Sequence, residues 1–235
     1  MLPSQFMIPM KSYNKLLSQS LYLAILASIT FLSACDSDGN SVKTLPIYGE
    51  REPIERTVSG ETVVDTIYHT IPDFAFLNQD SQRVTQETVA GKVYVTDFFF
   101  TSCPTICPKM KSQMLRVYEA FKDNPDIVLL SHSIDPAHDT VAVLKDYSER
   151  LGIETAKWHL LTGDKDSIYT IAEQYLAAAR EDAGAEGGFT HSGDFYLIDQ
   201  QRRIRGHYNG TLEEDVDRLI KDIPVLLKEA NNAKK

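Results

Sequence analysis

Residues 97–110 read Asp-Phe-Phe-Phe-Thr-Ser-Cys-Pro-Thr-Ile-Cys-Pro-Lys-Met, an apolar run followed by two cysteines that each precede a proline. Proline disfavours the α conformation in the residue before it, so we expect Cys103 and Cys107 in extended or turn geometry. Pro108 suits the first position of a helix. The stretch therefore predicts a buried strand, a short protruding loop and a helix. Cys107 is expected at or next to the helix N-cap, where the helix dipole favours a thiolate.

The third cysteine of the chain, Cys35, belongs to a different feature. It follows Lys11, Lys15 and the apolar segment 21–32, a pattern typical of a signal peptide, and the sequence Leu-Ser-Ala-Cys resembles a bacterial lipoprotein processing site. We expect residues 1–35 to be a lipoprotein signal peptide ending at Cys35, which would carry the lipid. An uncleaved N-terminal anchor is the alternative. Both interpretations predict a protein of the cell envelope, anchored to a membrane and facing the periplasm or the exterior.

Composition predicts one folded domain behind a linker. Residues 36–60 are polar, contain several Gly and Pro residues and show no helical or strand period, so we expect a flexible tether there. Residues 61–235 are then sufficient for a single core. The formal net charge is −9 and the basic residues are scattered, which argues against a nucleic-acid partner. Two remaining cysteines cannot staple such a domain, so their thiols must act on each other or on a bound group.

Hydrophobic periodicity predicts that strands and helices alternate along the domain. Strands are expected at residues 71–77, 93–100, 127–134, 158–161, 195–199 and 204–208. Helices are expected after Pro108, from Asp139 or Thr140 to Gly152, at residues 167–179 and after Thr211. This order, with a hairpin near its end, predicts an α/β sandwich with a central mixed β-sheet flanked by helices.

A dithiol loop between a central strand and the next helix resembles thioredoxin, although here three residues separate the cysteines instead of two. Within that superfamily the chain is similar to the Sco/SenC family of copper-binding proteins, which help assemble cytochrome c oxidase. The resemblance is carried by residues 97–110, by Ser-Ile-Asp-Pro-Ala-His-Asp-Thr at 133–140 and by Thr-His-Ser-Gly-Asp-Phe-Tyr-Leu-Ile-Asp at 190–199. These blocks follow the family's order, and the resemblance covers residues 71–227. It implies a thioredoxin-like, copper-binding domain.

In that family, two thiolates of the loop and one distant histidine bind copper. By motif position the resemblance implies Cys103, Cys107 and His191 as the ligands. Their chemistry agrees, because Cu(I) prefers thiolates and imidazole suits both Cu(I) and Cu(II). Zinc is the alternative, but a structural zinc site normally shows a fourth protein ligand at recognisable spacing, and the sequence shows none.

His191 differs from the other histidines in its position. It follows the glycine-rich segment 184–188 and directly precedes a strand, so it can move toward the dithiol loop, unless the glycines form only a surface turn. The remaining histidines lie in predicted strands, where a structural role is expected, or in the first segment, a helix cap and a hairpin: His132, His159, His69, His138 and His207.

Three aspartates near these motifs leave their roles open. Asp97 lies in the strand before the thiols, where it can orient the loop, raise a thiol pKa by like-charge repulsion, or point outward into solvent. Asp135 and Asp139 precede a helix, and a capping role is at least as plausible as a chemical one. No catalytic residue is assigned.

The resemblance implies a metallochaperone that delivers copper to the CuA centre of cytochrome c oxidase. Its partners would be the CuA-bearing subunit and, in addition, other copper chaperones. A second hypothesis is a membrane-anchored thiol-disulfide reductase that acts on the cysteines of that centre, with Cys103 and Cys107 forming a redox-active disulfide. A peroxidase is the third, because Phe-Thr-x-Cys-Pro resembles peroxiredoxins. Whether the protein is an enzyme therefore stays open, and His191, which a reductase does not need, separates the first two hypotheses.

Overall fold

The structure is a computed structural model that describes residues 44–232. The signal peptide predicted for residues 1–35, the lipidated Cys35 and the first part of the tether lie outside the described residues. Among the described residues, none of the helices is both long and apolar enough to cross a membrane.

Strands and helices alternate through the middle of the described chain. The strands are β1 (Arg51–Val58), β2 (Glu61–Tyr68), β3 (Ala75–Asn78), β4 (Arg83–Thr85), β5 (Val93–Phe99), β6 (Ile127–Ser133), β7 (Trp158–Thr162), β8 (Ala179–Glu181), β9 (Phe189–His191), β10 (Asp194–Ile198) and β11 (Ile204–Asn209). The helices are α1 (Ile106–Phe121), α2 (Val141–Leu151), α3 (Lys165–Gln174) and α4 (Glu213–Asn232).

Seven of the strands in residues 44–232 form one mixed sheet in the order β11-β10-β5-β6-β7-β3-β4. The three central strands β5, β6 and β7 are parallel, and the outer strands join them antiparallel. This confirms the predicted α/β fold with a central mixed sheet. Every residue of β5 and β6 is buried, as expected for parallel strands covered on both faces. Polar side chains on these strands must therefore find their partners inside the protein.

His132 on β6 is one of these buried polar groups. Its Nδ1 lies 3.1 Å from Thr96 Oγ1, and its ring is surrounded by the aromatic rings of Phe74, Phe76, Phe98 and Tyr175. Burial lowers the pKa of His132 to about 4. This packing agrees with the structural role that its place in a strand predicts.

The ends of the helices agree with the sequence in one case and differ in two. Thr140 caps α2 by accepting a hydrogen bond from the Val143 amide, and Gly152 ends the helix with φ of +67°. Helix α1 begins two residues earlier than predicted, so Pro108 is its third residue. Proline is tolerated there because amides of the first turn have no acceptor within the helix. Helix α3 covers residues 165–174 instead of 167–179, and Leu176 with φ of +60° follows its end.

The described part of residues 36–60, for which the sequence predicted a tether without strand periodicity, contains a strand. Strand β1 pairs antiparallel with β2 from Arg51–Tyr68 to Val58–Glu61. Nearly all residues of this hairpin are exposed. No buried face therefore imposes the alternation of apolar and polar residues that predicts a strand. Upstream of it, Leu45 is buried, and Arg205 donates hydrogen bonds to the carbonyls of residues 45 and 46.

The buried His132 predicts a specific acid sensitivity. Its pKa is lowered in the folded protein, so protons bind first to the unfolded state as the pH falls from 6.5 toward 4. The full contribution is present above pH 6.5, and about 3 kcal/mol of folding free energy is lost by pH 4. Urea unfolding of the reduced, metal-free protein across this range measures the loss. His132→Phe should flatten the slope, and an unchanged slope would contradict the assignment.

Candidate metal centre

The structure brings together the three residues that the sequence predicts as ligands. Cys103 lies in the loop after β5, Cys107 is the second residue of α1, and His191 is the last residue of β9. One ligand atom from each lies within 4.8 Å of the other two. The Cys107 Sγ and His191 Nε2 atoms are 3.4 Å apart. Within residues 44–232 this is the cluster of three or more His, Cys, Asp or Glu residues that can hold a metal ion.

Two separate pieces of chain form the site. The cysteines are carried by the end of β5 and the start of α1, where the Cys103 amide donates to the Phe100 carbonyl in a tight turn. His191 is carried by β9, which pairs with β8, and its ring packs edge-on against that of Phe100, with centroids 5.8 Å apart. Gly187, which precedes β9, packs closely against the same ring, because a Cβ at its position would lie 2.9 Å from Phe100.

The orientation of the His191 ring suits a metal ligand. Its Nδ1 lies 3.1 Å from the Ser192 carbonyl oxygen, an acceptor that requires the proton on Nδ1 and leaves the lone pair on Nε2. Nε2 is the atom that faces Cys107. Burial lowers the pKa of His191, which favours the neutral imidazole that binds metals.

The two thiols are free and buried, but their acidities differ. Burial raises the pKa of Cys107, and the neighbouring Cys103 raises it further. Burial also acts to raise the pKa of Cys103, yet hydrogen bonds from Cys107 and Thr105 outweigh it and the pKa is lowered. The expectation of a thiolate at Cys107 from the helix dipole is therefore wrong, because burial dominates there. Cys103 is the more acidic thiol of the metal-free protein.

Asp97 is not the solvated residue that one interpretation of the sequence allowed. It is completely buried, its Oδ2 lies 2.9 Å from Lys111 Nζ, and its Oδ1 accepts a hydrogen bond from Ser131. Lys111 was not predicted as part of the site, since a lysine in a helix is usually solvated. Its position four residues after Cys107, on the same face of α1, is the sequence signal that was available.

Asp139 does more than the capping predicted for it. The cap of α2 is Thr140, whereas the buried Asp139 carboxylate accepts hydrogen bonds from the Thr101 amide at 3.0 Å and from Ser133 Oγ at 2.6 Å. It thereby ties the start of the cysteine loop to the end of β6. Asp135 forms the preceding turn, in which its carbonyl accepts from the Asp139 amide.

The other histidines are engaged elsewhere. His69 Nε2 lies 2.7 Å from the Gln174 carbonyl oxygen, and His159 Nδ1 lies 3.1 Å from Asn78 Nδ2. His138 and His207 contact the carboxylates of Asp139 and Asp194 respectively, each at 2.9 Å. The structure therefore selects His191 from the histidines that it describes.

A small pocket of about 190 Å³ lies beside the cluster and is lined by Cys103, Thr105, Ile106, His191 and neighbouring residues of β9 and the loop. Three soft or borderline donors beside an open pocket can hold a copper ion and leave one side of the ion accessible.

Comparison with known proteins identifies the family of this chain. The SCO1/SenC family model matches residues 65–228, a span that contains all three clustered residues. The SCO1 protein homolog of Bacillus subtilis (strain 168) is 31% identical over 166 residues, which cover 70% of this chain and 86% of the relative.

Solved structures agree with this relationship. BsSco, a member of the Sco family of cytochrome c oxidase assembly proteins in which a disulfide switch has been identified, is 29% identical with a TM-score of 0.60, covering 67% of this chain and 93% of its own. Arabidopsis thaliana ScoI with copper bound is 26% identical with a TM-score of 0.56, covering 67% of this chain and 98% of its own. The extent of the family match, the shared fold and the clustered dithiol and histidine together show that this chain belongs to the SCO1/SenC family.

Proposed function

We propose that the protein is a copper metallochaperone that binds copper through Cys103, Cys107 and His191 and helps assemble the CuA centre of cytochrome c oxidase. The observation that carries the proposal is the convergence of these three donors from two separate parts of the chain. The relatives support it, because one binds copper and another is a member of a family of oxidase assembly proteins. The CuA-bearing subunit is the proposed recipient, and other copper chaperones are proposed partners.

The donor set fits copper as a cargo. Thiolates hold Cu(I), and the imidazole supports Cu(II) as well. The open side at the pocket gives a recipient access to the ion. Binding requires both cysteines as thiolates, so the Cys107 proton is released when the ion enters.

Three single substitutions test the ligand set. Cys103→Ala, Cys107→Ala and His191→Ala should each lower cytochrome c oxidase activity in cells grown with limiting copper, and added copper should partly restore it. In vitro, His191→Ala should weaken Cu(II) binding more than Cu(I) binding, because the two thiolates remain for the softer ion. His207→Ala is the matched control, since His207 lies on β11, contacts Asp194 and does not belong to the cluster of Cys103, Cys107 and His191.

The reductase hypothesis gives a different pattern. A thiol-disulfide reductase needs the two cysteines only, so a His191→Ala protein with normal Cu(II) spectra and normal oxidase assembly would refute the three-ligand site. Loss of function in all three variants but not in His207→Ala is the result that the chaperone proposal predicts.

The second candidate function, a thiol-disulfide reductase acting on the cysteines of the recipient, is favoured by the proximity and unequal acidity of the thiols. Cys103, with the lowered pKa and 8% exposure, would be the attacking thiol, and the more deeply buried Cys107 the resolving one. Both functions can belong to one dithiol, which binds copper when reduced and loses two electrons and two protons when it forms a disulfide.

Mild oxidation of the metal-free protein tests this redox chemistry. We expect an intramolecular Cys103–Cys107 disulfide, seen by mass analysis as a loss of two hydrogens from the monomer, because the thiols are neighbours across a short loop. Copper bound beforehand should slow the reaction by occupying both sulfurs. Free thiols or intermolecular dimers alone would exclude the reductase function.

We also propose that Cys35 carries a lipid that holds the domain on a membrane of the cell envelope, facing the periplasm or the exterior. The support is the Leu-Ser-Ala-Cys sequence after an apolar segment. Cys35→Ala should leave copper binding unchanged and move the protein from the membrane fraction to the soluble fraction. Cell fractionation with lipid labelling measures this, and a variant that is still lipidated and sediments with membranes would contradict the proposal.

A further inference from the structure

A buried ion pair lies behind the cysteine loop. The Asp97 side chain is completely buried and the Lys111 side chain is 3% exposed. The Asp97 Oδ2 and Lys111 Nζ atoms are 2.9 Å apart. Ser131 Oγ lies 3.2 Å from Lys111 Nζ and also bonds to Asp97. Trp158 Nε1 donates to the same hydroxyl at 2.9 Å. The charges are thus fully removed from water, and each is hydrogen-bonded.

The pair joins the two elements that flank the cysteine loop, β5 and α1. Lys111 lies one helical turn after Cys107 on the same face of α1, and a helical side chain leans toward the N-terminal end of its helix, which here carries Cys107. Asp97 lies on β5, the strand that leads into the cysteine loop. Screening by water is weak at this depth, so both charges influence the ligands directly.

Fold stability alone gives little reason for this arrangement. A buried ion pair often contributes no more to stability than apolar side chains of the same volume. The ammonium lies 3.8 Å from the centroid of the Phe99 ring and 5.4 Å from that of Trp158, so its surroundings are otherwise apolar. The position of the pair between the two elements that flank the cysteine loop is the feature that requires a functional explanation.

We propose that Lys111 and Asp97 set the preference of the site for Cu(I) over Cu(II), with Lys111 favouring Cu(I) and Asp97 opposing it. This inference rests on the proposed copper site. Two thiolates and a neutral imidazole give a net charge of −1 with Cu(I) and zero with Cu(II). A nearby positive charge therefore stabilises the Cu(I) form more, and a nearby negative charge stabilises it less.

Two substitutions that remove opposite charges test the proposal. Competition with chelators specific for each oxidation state gives the Cu(I) and Cu(II) affinities of the full chain. The readout is the ratio of the Cu(I) affinity to the Cu(II) affinity. Lys111→Met should lower the ratio about tenfold and Asp97→Asn should raise it about tenfold, from a charge acting through a weakly screening interior. A tenfold change equals a shift of about 59 mV in the one-electron copper potential. Lys109→Met, which removes an exposed charge from the same helix, is the matched control and should leave the ratio within about twofold of the wild type.

Controls separate electrostatic tuning from a loss of structure. Urea unfolding of each metal-free variant reports stability, and the double variant Asp97→Asn/Lys111→Met removes both charges without leaving one unpaired. Its ratio should lie between those of the two single variants. If Lys111→Met does not fold, the direction of the change in Asp97→Asn decides.

The outcomes distinguish this inference from the proposed function. Single variants that shift the ratio in the same direction, or no more than Lys109→Met does, would overturn the role of the ion pair. A wild-type protein that binds neither Cu(I) nor Cu(II) through the cluster would instead overturn the copper site itself.

Discussion

The parallel pairing of β5 with β6 is the interaction on which the site depends. It aligns Phe99 with Ser133, so the cysteine loop after β5 and the Asp-Pro turn after β6 leave the sheet side by side. Asp139 can then accept hydrogen bonds from Thr101 at the start of the loop. Because both strands are buried on both faces, the polar side chains that they carry find their partners within the domain, apart from the Nε2 atom of His132. The ion pair of Asp97 and Lys111 is one result of that requirement.

The cysteines and His191 are carried by structural elements of different size and burial. The cysteines are fixed by β5, α1 and the bonds to Asp139, all of which belong to the central layers of the fold. His191 lies on the two-stranded β8–β9 hairpin, whose strands have three residues each and are only partly buried apart from two exposed positions in β8. Its contacts with the dithiol side are the Phe100 ring and Cys107.

The sequence predicted those features that are encoded locally or by the family motifs. The apolar run before Cys103 predicted β5, the Thr140 and Gly152 signals predicted the ends of α2, and the family blocks predicted the three residues that the structure brings together. The features that it missed depend on tertiary burial. In the sequence Lys111 resembles an ordinary surface lysine, and only the fold pairs it with Asp97. The raised pKa of Cys107 results mainly from its burial. The β1–β2 hairpin was missed because its two faces are both exposed.

X-ray absorption on the reduced protein loaded with one equivalent of Cu(I) tests most directly which atoms coordinate the copper. Copper held by Cys103, Cys107 and His191 should give two sulfur scatterers and one nitrogen scatterer, with loss of the nitrogen alone in His191→Ala. A site with a single sulfur, or a nitrogen signal that persists in His191→Ala, would contradict the assignment of Cys103, Cys107 and His191 as the copper ligands.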